Sequence, residues 1–200
     1  MPKTFVGATL ILLSLSLPAV AATNQKYQVK GQTADAYFYQ SDECNYTSVG
    51  IFASDNVSKS APGAPTAQKG AYIYYSTYNW CTGEGSYGDG FATDVNFTSD
   101  KSLKSAALNG TFAVNDYSSG ATKNVDVAVM WTGTGDTYRG NSHSHYQGPA
   151  FTSNYRYVGA HSDAMVSGTI TSEGKNLVEN LSSFGSLSSS NSGSIEIIRK

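Results

Sequence analysis

Helical periodicity is nearly missing from this chain, and several residue types that particular functions demand are scarce. Only two cysteines occur, Cys44 and Cys81. Two widely spaced thiols exclude a cysteine-built metal centre and a cysteine-dense scaffold. Charge is sparse and slightly acidic, 13 Lys and Arg against 15 Asp and Glu. Such a balance lacks the basic footprint that nucleic acid or an anionic membrane surface selects. No Gly-x-Ser-x-Gly elbow is present, and no glycine run leads into a Lys-Ser phosphate loop. The stretch "GEGSYGDGFATD" holds Glu84, Asp89 and Asp94, but lacks the ligand spacing of a calcium loop and reads as a hairpin turn. Past the first twenty residues, no apolar run approaches the roughly 20 residues a membrane helix needs.

What is present begins with the opening segment, "MPKTFVGATLILLSLSLPAVAA". Lys3, an apolar stretch from Phe5 to Leu17, the break at Pro18 and the small residues of "AVAA" form the three parts of a secretory signal. Residues 1–22 are therefore expected to be a signal peptide, and 23–200 one domain that is secreted or periplasmic and not inserted in a membrane. In an oxidising compartment Cys44 and Cys81 are expected to pair as one disulfide. Sequons at Asn45, Asn56, Asn96, Asn109 and Asn180 are expected from a composition rich in Asn, Ser and Thr, and are taken as incidental.

Period-two alternation recurs throughout that domain. It aligns Ala34, Ala36 and Phe38 against Tyr37 and Tyr39, and Val49, Ile51 and Ala53 on one side of the next run. Ala71, Ile73 and Tyr75 alternate with Tyr72, Tyr74, Tyr78 and Trp80. Phe91, Val95 and Phe97 fall in line, as do Leu108, Phe112 and Val114. "KNVDVAVMW" is the cleanest case, with Val125, Val127, Val129 and Trp131 on one face. Ala164, Val166 and Ile170 follow, then Ile195 and Ile197. About eight half-buried strands separated by Gly, Pro, Asn and Ser turns predict an all-β antiparallel sandwich, jelly-roll or immunoglobulin-like. "LSSFGSLSSSNSGS" has few apolar anchors, and the segment near 182–194 reads as a mobile connection.

Candidate chemistry concentrates in "WTGTGDTYRGNSHSHYQGP". His143 and His145 share one side of any extended backbone. With His161, and Asp163 as a carboxylate, they make up a possible zinc or copper set. The other reading is a polar loop from Gly133 to Tyr146, shaped by its glycines, that binds a carbohydrate or an extracellular protein. Arg139, Asn141, His143 and His145 would then supply hydrogen bonds and Tyr138 or Tyr146 stacking area, with Asp136 near enough to pair with Arg139 or meet the ligand. Tyr72, Tyr74, Tyr78 and Trp80 offer a second aromatic platform if their face meets solvent. The functional expectation is a non-catalytic binding module without a cofactor. A metal-binding or metalloenzyme role and a purely structural envelope role stand as alternatives.

The motif "VMWTGTGDTYRGNSHSHYQGPAF" with "NYRYVGAHSDAMVSGTI" resembles a family of secreted bacterial β-rich proteins that share a Trp-Thr-Gly-Thr-Gly run followed by Arg-Gly-Asn-Ser. The likeness extends from about Gly31 to Ile170 and is most specific from Trp131 to His145. It implies a bacterial, exported protein and brings no activity with it.

Overall fold

The computed structural model describes residues 23–178 and 182–198. The expected signal peptide and the sequon at Asn180 lie outside them. Eleven strands make up the described chain: β1 Thr23–Ser41, β2 Asn45–Ala61, β3 Thr66–Asn79, β4 Glu84–Ala92, β5 Asn96–Ser99, β6 Ser105–Asp116, β7 Ala121–Gly133, β8 Tyr138–Gln147, β9 Phe151–Ser172, β10 Lys175–Asn176 and β11 Ser182–Ile198. All pairings are antiparallel, as the alternation predicts. The expected pair of faces belongs to one continuous sheet. Its order β9-β11-β1-β2-β3-β4-β6 returns to β9 through β7, which closes eight strands around the core.

The alternation determines what fills that ring. Ala34, Ala36 and Phe38 of β1, Val49 and Ile51 of β2, and Ile73 and Tyr75 of β3 are buried. So are Phe112 and Val114 of β6, Val125 to Trp131 at alternate positions of β7, and Val166 and Ile170 of β9. Trp131 donates its indole N–H to the carbonyl of Asp35 on β1 at 2.7 Å. Gly185 of β11 lies between the two, and a Cβ there would sit 2.2 Å from the Asp35 oxygen and 3.0 Å from Trp131 Nε1. The close approach requires glycine at that position.

The ring is narrowest in pairing between β4 and β6, which share only Gly88–Asp116 and Asp89–Asn115. Two carboxylates fasten this seam. Inside, buried Asp116 accepts hydrogen bonds from Lys123, from Ser86 Oγ at 2.8 Å, from Tyr75 at 3.1 Å and from the backbone N–H groups of Ser118 and Ser119. Burial alone would raise its pKa, but the Lys123 ammonium and these donors hold it well below the usual carboxylate range. Outside, Asp89 accepts from Tyr72 at 2.7 Å and Tyr117 at 2.5 Å.

Several strands run far past the core. β9 has 22 residues, β1 has 19, and β2 and β11 have 17 each. At about 3.3 Å per residue, β9 is on the order of 70 Å long. Beyond the ring, the first half of β9, the second half of β11, the first half of β1, the end of β2 and the start of β3 continue as a sheet, with β8 at its edge. This extension, the wing, is mostly exposed or half-buried on both faces.

Four expectations change. The Ser-rich segment expected as a mobile connection is β11, paired on one side with β1 and on the other with β9. Its hydroxyl-rich sequence shows no apolar face because much of it lies in the wing. The glycine-rich run taken for a hairpin turn is mostly strand β4, with the turn at Cys81–Gly83. Phe91 is 64% exposed while Val95 and Phe97 are buried. The strand stops at Ala92, and that break resets the inward phase before β5. Finally, the loop expected from Gly133 to Tyr146 is a short bulge followed by strand β8.

Candidate functional site

β8 continues the line of β7 along the same side of β9. Gly133 pairs with Ala164 and Tyr138 with His161, so four residues, Thr134 to Thr137, stand opposite two on β9. The two extra residues form a bulge, anchored where the Thr134 N–H donates to the carbonyl of Asp163 at 2.7 Å and turned by Gly135 at φ 82°. Bulges of this kind interrupt a ladder and re-aim the side chains around them. Asp136 projects from it into solvent. Among the described residues the ion pairs are Lys123–Asp116 and His161–Asp163, so Asp136 and Arg139 do not pair.

Beyond the bulge, strict alternation divides the expected site residues between two faces. Arg139, Asn141, His143 and His145 continue the face that carries Val125 to Trp131 further back, here called the core-side face. Tyr138 and Tyr146 point to the outer face. His161 pairs directly with Tyr138 and so belongs to the outer face as well, whereas His143 pairs with Arg156 and His145 with Asn154. His143 and His161 are thus on opposite sides of the sheet and five ladder steps apart, roughly 17 Å along the strands. The expected three-histidine metal set is therefore not assembled. Among the described residues no three His, Cys, Asp or Glu side chains converge. The reason is the ladder register, which spacing along the chain does not reveal. Each of two imidazoles has a local partner instead. His145 Nδ1 lies 2.6 Å from Asn154 Oδ1, and His161 lies 3.1 Å from Ser188 Oγ and 3.3 Å from Asp163.

On the outer face a trough crosses the strands. Its floor is the cross-strand row Gly140, Gly159, Ser190 and Gly31. One wall is Tyr138, His161, Ser188 and Thr33, and Tyr157 overhangs from the other side. The trough is open to solvent, with a volume of about 600 Å³. The Tyr157 ring lies directly over Gly159, where a Cβ would meet its hydroxyl at 2.2 Å. Tyr138 is 67% exposed at the open end, beside Gly140, which has free space above it. Alternate residues of β11 along the wing, Ser188, Ser190, Ser192 and Ser194, set a line of hydroxyls between Tyr155 and Tyr157 on one side and Tyr27 on the other. Sequence reading offers "NYRYV", which includes Tyr157, as a candidate aromatic platform but misses Ser188 and Ser190, because their strand meets β8 only through β9.

The second platform also faces solvent. Tyr72, Tyr74, Tyr78 and Trp80 are all exposed, while Ile73 and Tyr75 are buried. Tyr46 lies between Tyr39 and Trp80 with ring centroids 6.2 and 6.0 Å apart and planes within 27°. The Cys44–Cys81 disulfide forms as expected, with Cα atoms 5.2 Å apart. It fixes the base of this group, where the Trp80 N–H also donates to the carbonyl of Cys44 at 2.6 Å. Asp42 tightens the same corner. Its carboxylate accepts the N–H groups of Asn45 and Cys44 at 2.6 and 2.8 Å, which holds its pKa below the ordinary value.

Comparison with known proteins adds little to this geometry. No family model matches the chain, and no curated protein matches it. A solved structure of a protein provisionally designated AttH, from Nitrosomonas europaea, aligns with 98% of this chain at 11% identity and a TM-score of 0.29. The chain spans 59% of that protein's length. Among the described residues no helix is long and apolar enough to cross a membrane.

Proposed function

We propose that this protein is an exported, non-catalytic binding module that takes a carbohydrate in the outer-face trough of the wing. The observation that carries the reading is the trough's construction: a floor of three glycines and Ser190, tyrosines at its two sides, and hydroxyl and imidazole groups between them. Tyr157 covers Gly159 and Asn56 covers Gly31, so a sugar ring reaches the backbone of the floor over Gly140. Tyr157 and Tyr138 supply rigid amphipathic surfaces for the apolar face of a pyranose. His161, Ser188 and Ser190 are placed to exchange hydrogen bonds with its hydroxyls, whereas the Arg139 side chain takes the opposite face. Asn141 and His143, on the opposite face, take no part in this site, and neither does Asp136 on the bulge. The disulfide and the signal-like opening segment support export.

The test is a glycan-array screen of residues 23–200, followed by calorimetry on the best neutral oligosaccharide with wild type, Tyr157→Ala and Tyr138→Ala. Loss of each ring is expected to weaken binding by about 1–2 kcal/mol, in the range for a stacking contact. Binding that survives both substitutions unchanged would remove the trough from consideration.

A further inference from the structure

The two faces of the wing differ in chemistry as sharply as its two ends differ in burial. On the core-side face, β1 passes from buried Ala34 to Gln32, Lys30, Gln28 and Lys26, and β2 passes from buried Ala53 to Asp55, Val57 and Lys59. β3 adds Lys69, β9 adds Arg156, and β8 adds Arg139. These six cations are six of the ten lysines and arginines among the described residues, in a chain whose formal net charge is −2. Asp55, opposite Lys69, is the one carboxylate among the described residues of this face. Asp100 stands at the mouth of the ring, where its carbonyl accepts from Gln32 at 2.9 Å. None of the six cations forms an ion pair among the described residues. Tyr27, Tyr138, Tyr146, Phe151, Tyr155 and Tyr157 all take the other parity, so no Phe, Tyr or Trp of the wing belongs to the core-side face.

This face holds a cavity of about 720 Å³ around the row His143, Arg156, Gly193, Gln28 and Lys59. Gly193 leaves a low centre, the cations stand on both sides of it, and Lys26 and Asn191 border it along the strands. Ala61, Val158 and Ile195 add apolar surface. From Arg156 on β9 to Lys59 on β2 is three strand spacings, about 14 Å. Unpaired cations of one sign, spread over that distance with amides between them, match an extended polyanion. We infer that the core-side face of the wing is a second binding site, for an acidic polysaccharide whose carboxylates meet Arg156, Lys59 and Lys26 and whose hydroxyls meet Gln28, Asn154 and Asn191. A single-stranded nucleic acid is the poorer fit, because such sites add aromatic side chains on which bases stack. Here Tyr27 and Tyr155, which border this cavity, take the opposite parity in the ladder. The site is separate from the outer trough and stands whether or not the trough binds sugar.

The test is calorimetric titration of residues 23–200 with oligogalacturonate, its fully methyl-esterified form, and oligo-dT of similar length. Wild type, Lys59→Glu/Arg156→Glu and Tyr157→Ala would be compared, with thermal melting to verify that each is folded. Oligogalacturonate is expected to bind wild type and Tyr157→Ala equally and to weaken at least about tenfold in the charge-reversed protein. The esterified form should not bind. Failure of oligogalacturonate to bind, or equal binding to the charge-reversed protein, overturns the site. Oligo-dT binding as tightly as oligogalacturonate overturns the assignment to a polysaccharide.

Discussion

The same strands build both halves of this molecule, yet the halves are governed by different rules. In the ring, the inward side of most strands is Ala, Val, Ile, Leu, Phe, Tyr or Trp and sits in a closed core, with Gly88, Gly90 and Ala92 facing inward from β4. In the wing, the identical side of β1, β2, β9 and β11 carries mainly Lys, Gln, Asn, Ser and Arg, with Val57, Val158, Ile195 and Ile197 among them, and neither face is fully covered. Burial of apolar side chains, at roughly 25 cal/mol per Å², stabilises the ring. The wing depends on ladder hydrogen bonds and on its continuity with the ring. Sequence in the wing is therefore free of packing constraints and available for recognition.

The largest expected effect tests whether stability resides in the ring. Trp131→Ala removes a buried indole and its hydrogen bond to Asp35, and should cost about 3–5 kcal/mol in urea unfolding. Lys30→Ala in the wing should shift the same curve by less than about 0.5 kcal/mol. A comparable loss from both would dissolve the distinction.

Next is the disulfide, which closes a loop of 37 residues. Replacing Cys44 and Cys81 together by Ala should lower stability by roughly 2–4 kcal/mol. Because the bridge pins Tyr46 and Trp80, tryptophan fluorescence should report a change near Trp80, while binding in the wing stays as in wild type.

A smaller effect concerns the seam between β4 and β6. The Asp116 carboxyl titrates below its ordinary value of 3.8 in the folded protein. Its contribution is therefore complete above that value and is lost as pH falls from there toward the folded pKa. Unfolding of wild type should steepen with acid below about pH 4, and Asp116→Asn should be less stable at pH 7 and less sensitive to acid. An unchanged acid profile would remove Asp116 from the seam.

The smallest effect is spectroscopic. The hydrogen bond to Asp89, with a contribution from burial, raises the Tyr72 hydroxyl to about 12. Tyr72 should thus ionise late in an alkaline absorbance titration, alongside Tyr75 and Tyr117, which are also raised. Asp89→Asn should bring Tyr72 and Tyr117 back toward 10 while Tyr75 stays late.

The comparison of halves also explains what could be read from the chain. Val125, Val127, Val129 and Trp131 announced a half-buried strand because one of their faces lies in the core. Ala34, Ala36 and Phe38 did the same. Ser188 to Ser194 and Arg139 to His145 carry no such signal, since a strand with two polar faces has no hydrophobic period to detect. Their strand character comes from partners far away, Gly31 with Ser190 and Asn154 with His145. The same blindness produced the three-histidine expectation. The spacing of His143 and His145 placed them together correctly, but the side of the sheet on which His161 lies depends on a register that only pairing sets.

That register passes through the bulge at Thr134–Thr137, which makes its length a parity code. Two surplus residues leave the phase of β8 unchanged, so Arg139 and His143 stay with the cations and Tyr138 with the trough. With β9 pairing held fixed, one surplus residue instead of two would exchange the faces of every side chain on β8. Tyrosine would then sit among the lysines and histidine over the glycine floor. In evolutionary terms, insertions and deletions at this bulge are free to vary only in steps of two, and a single-codon change there rewires both surfaces at once.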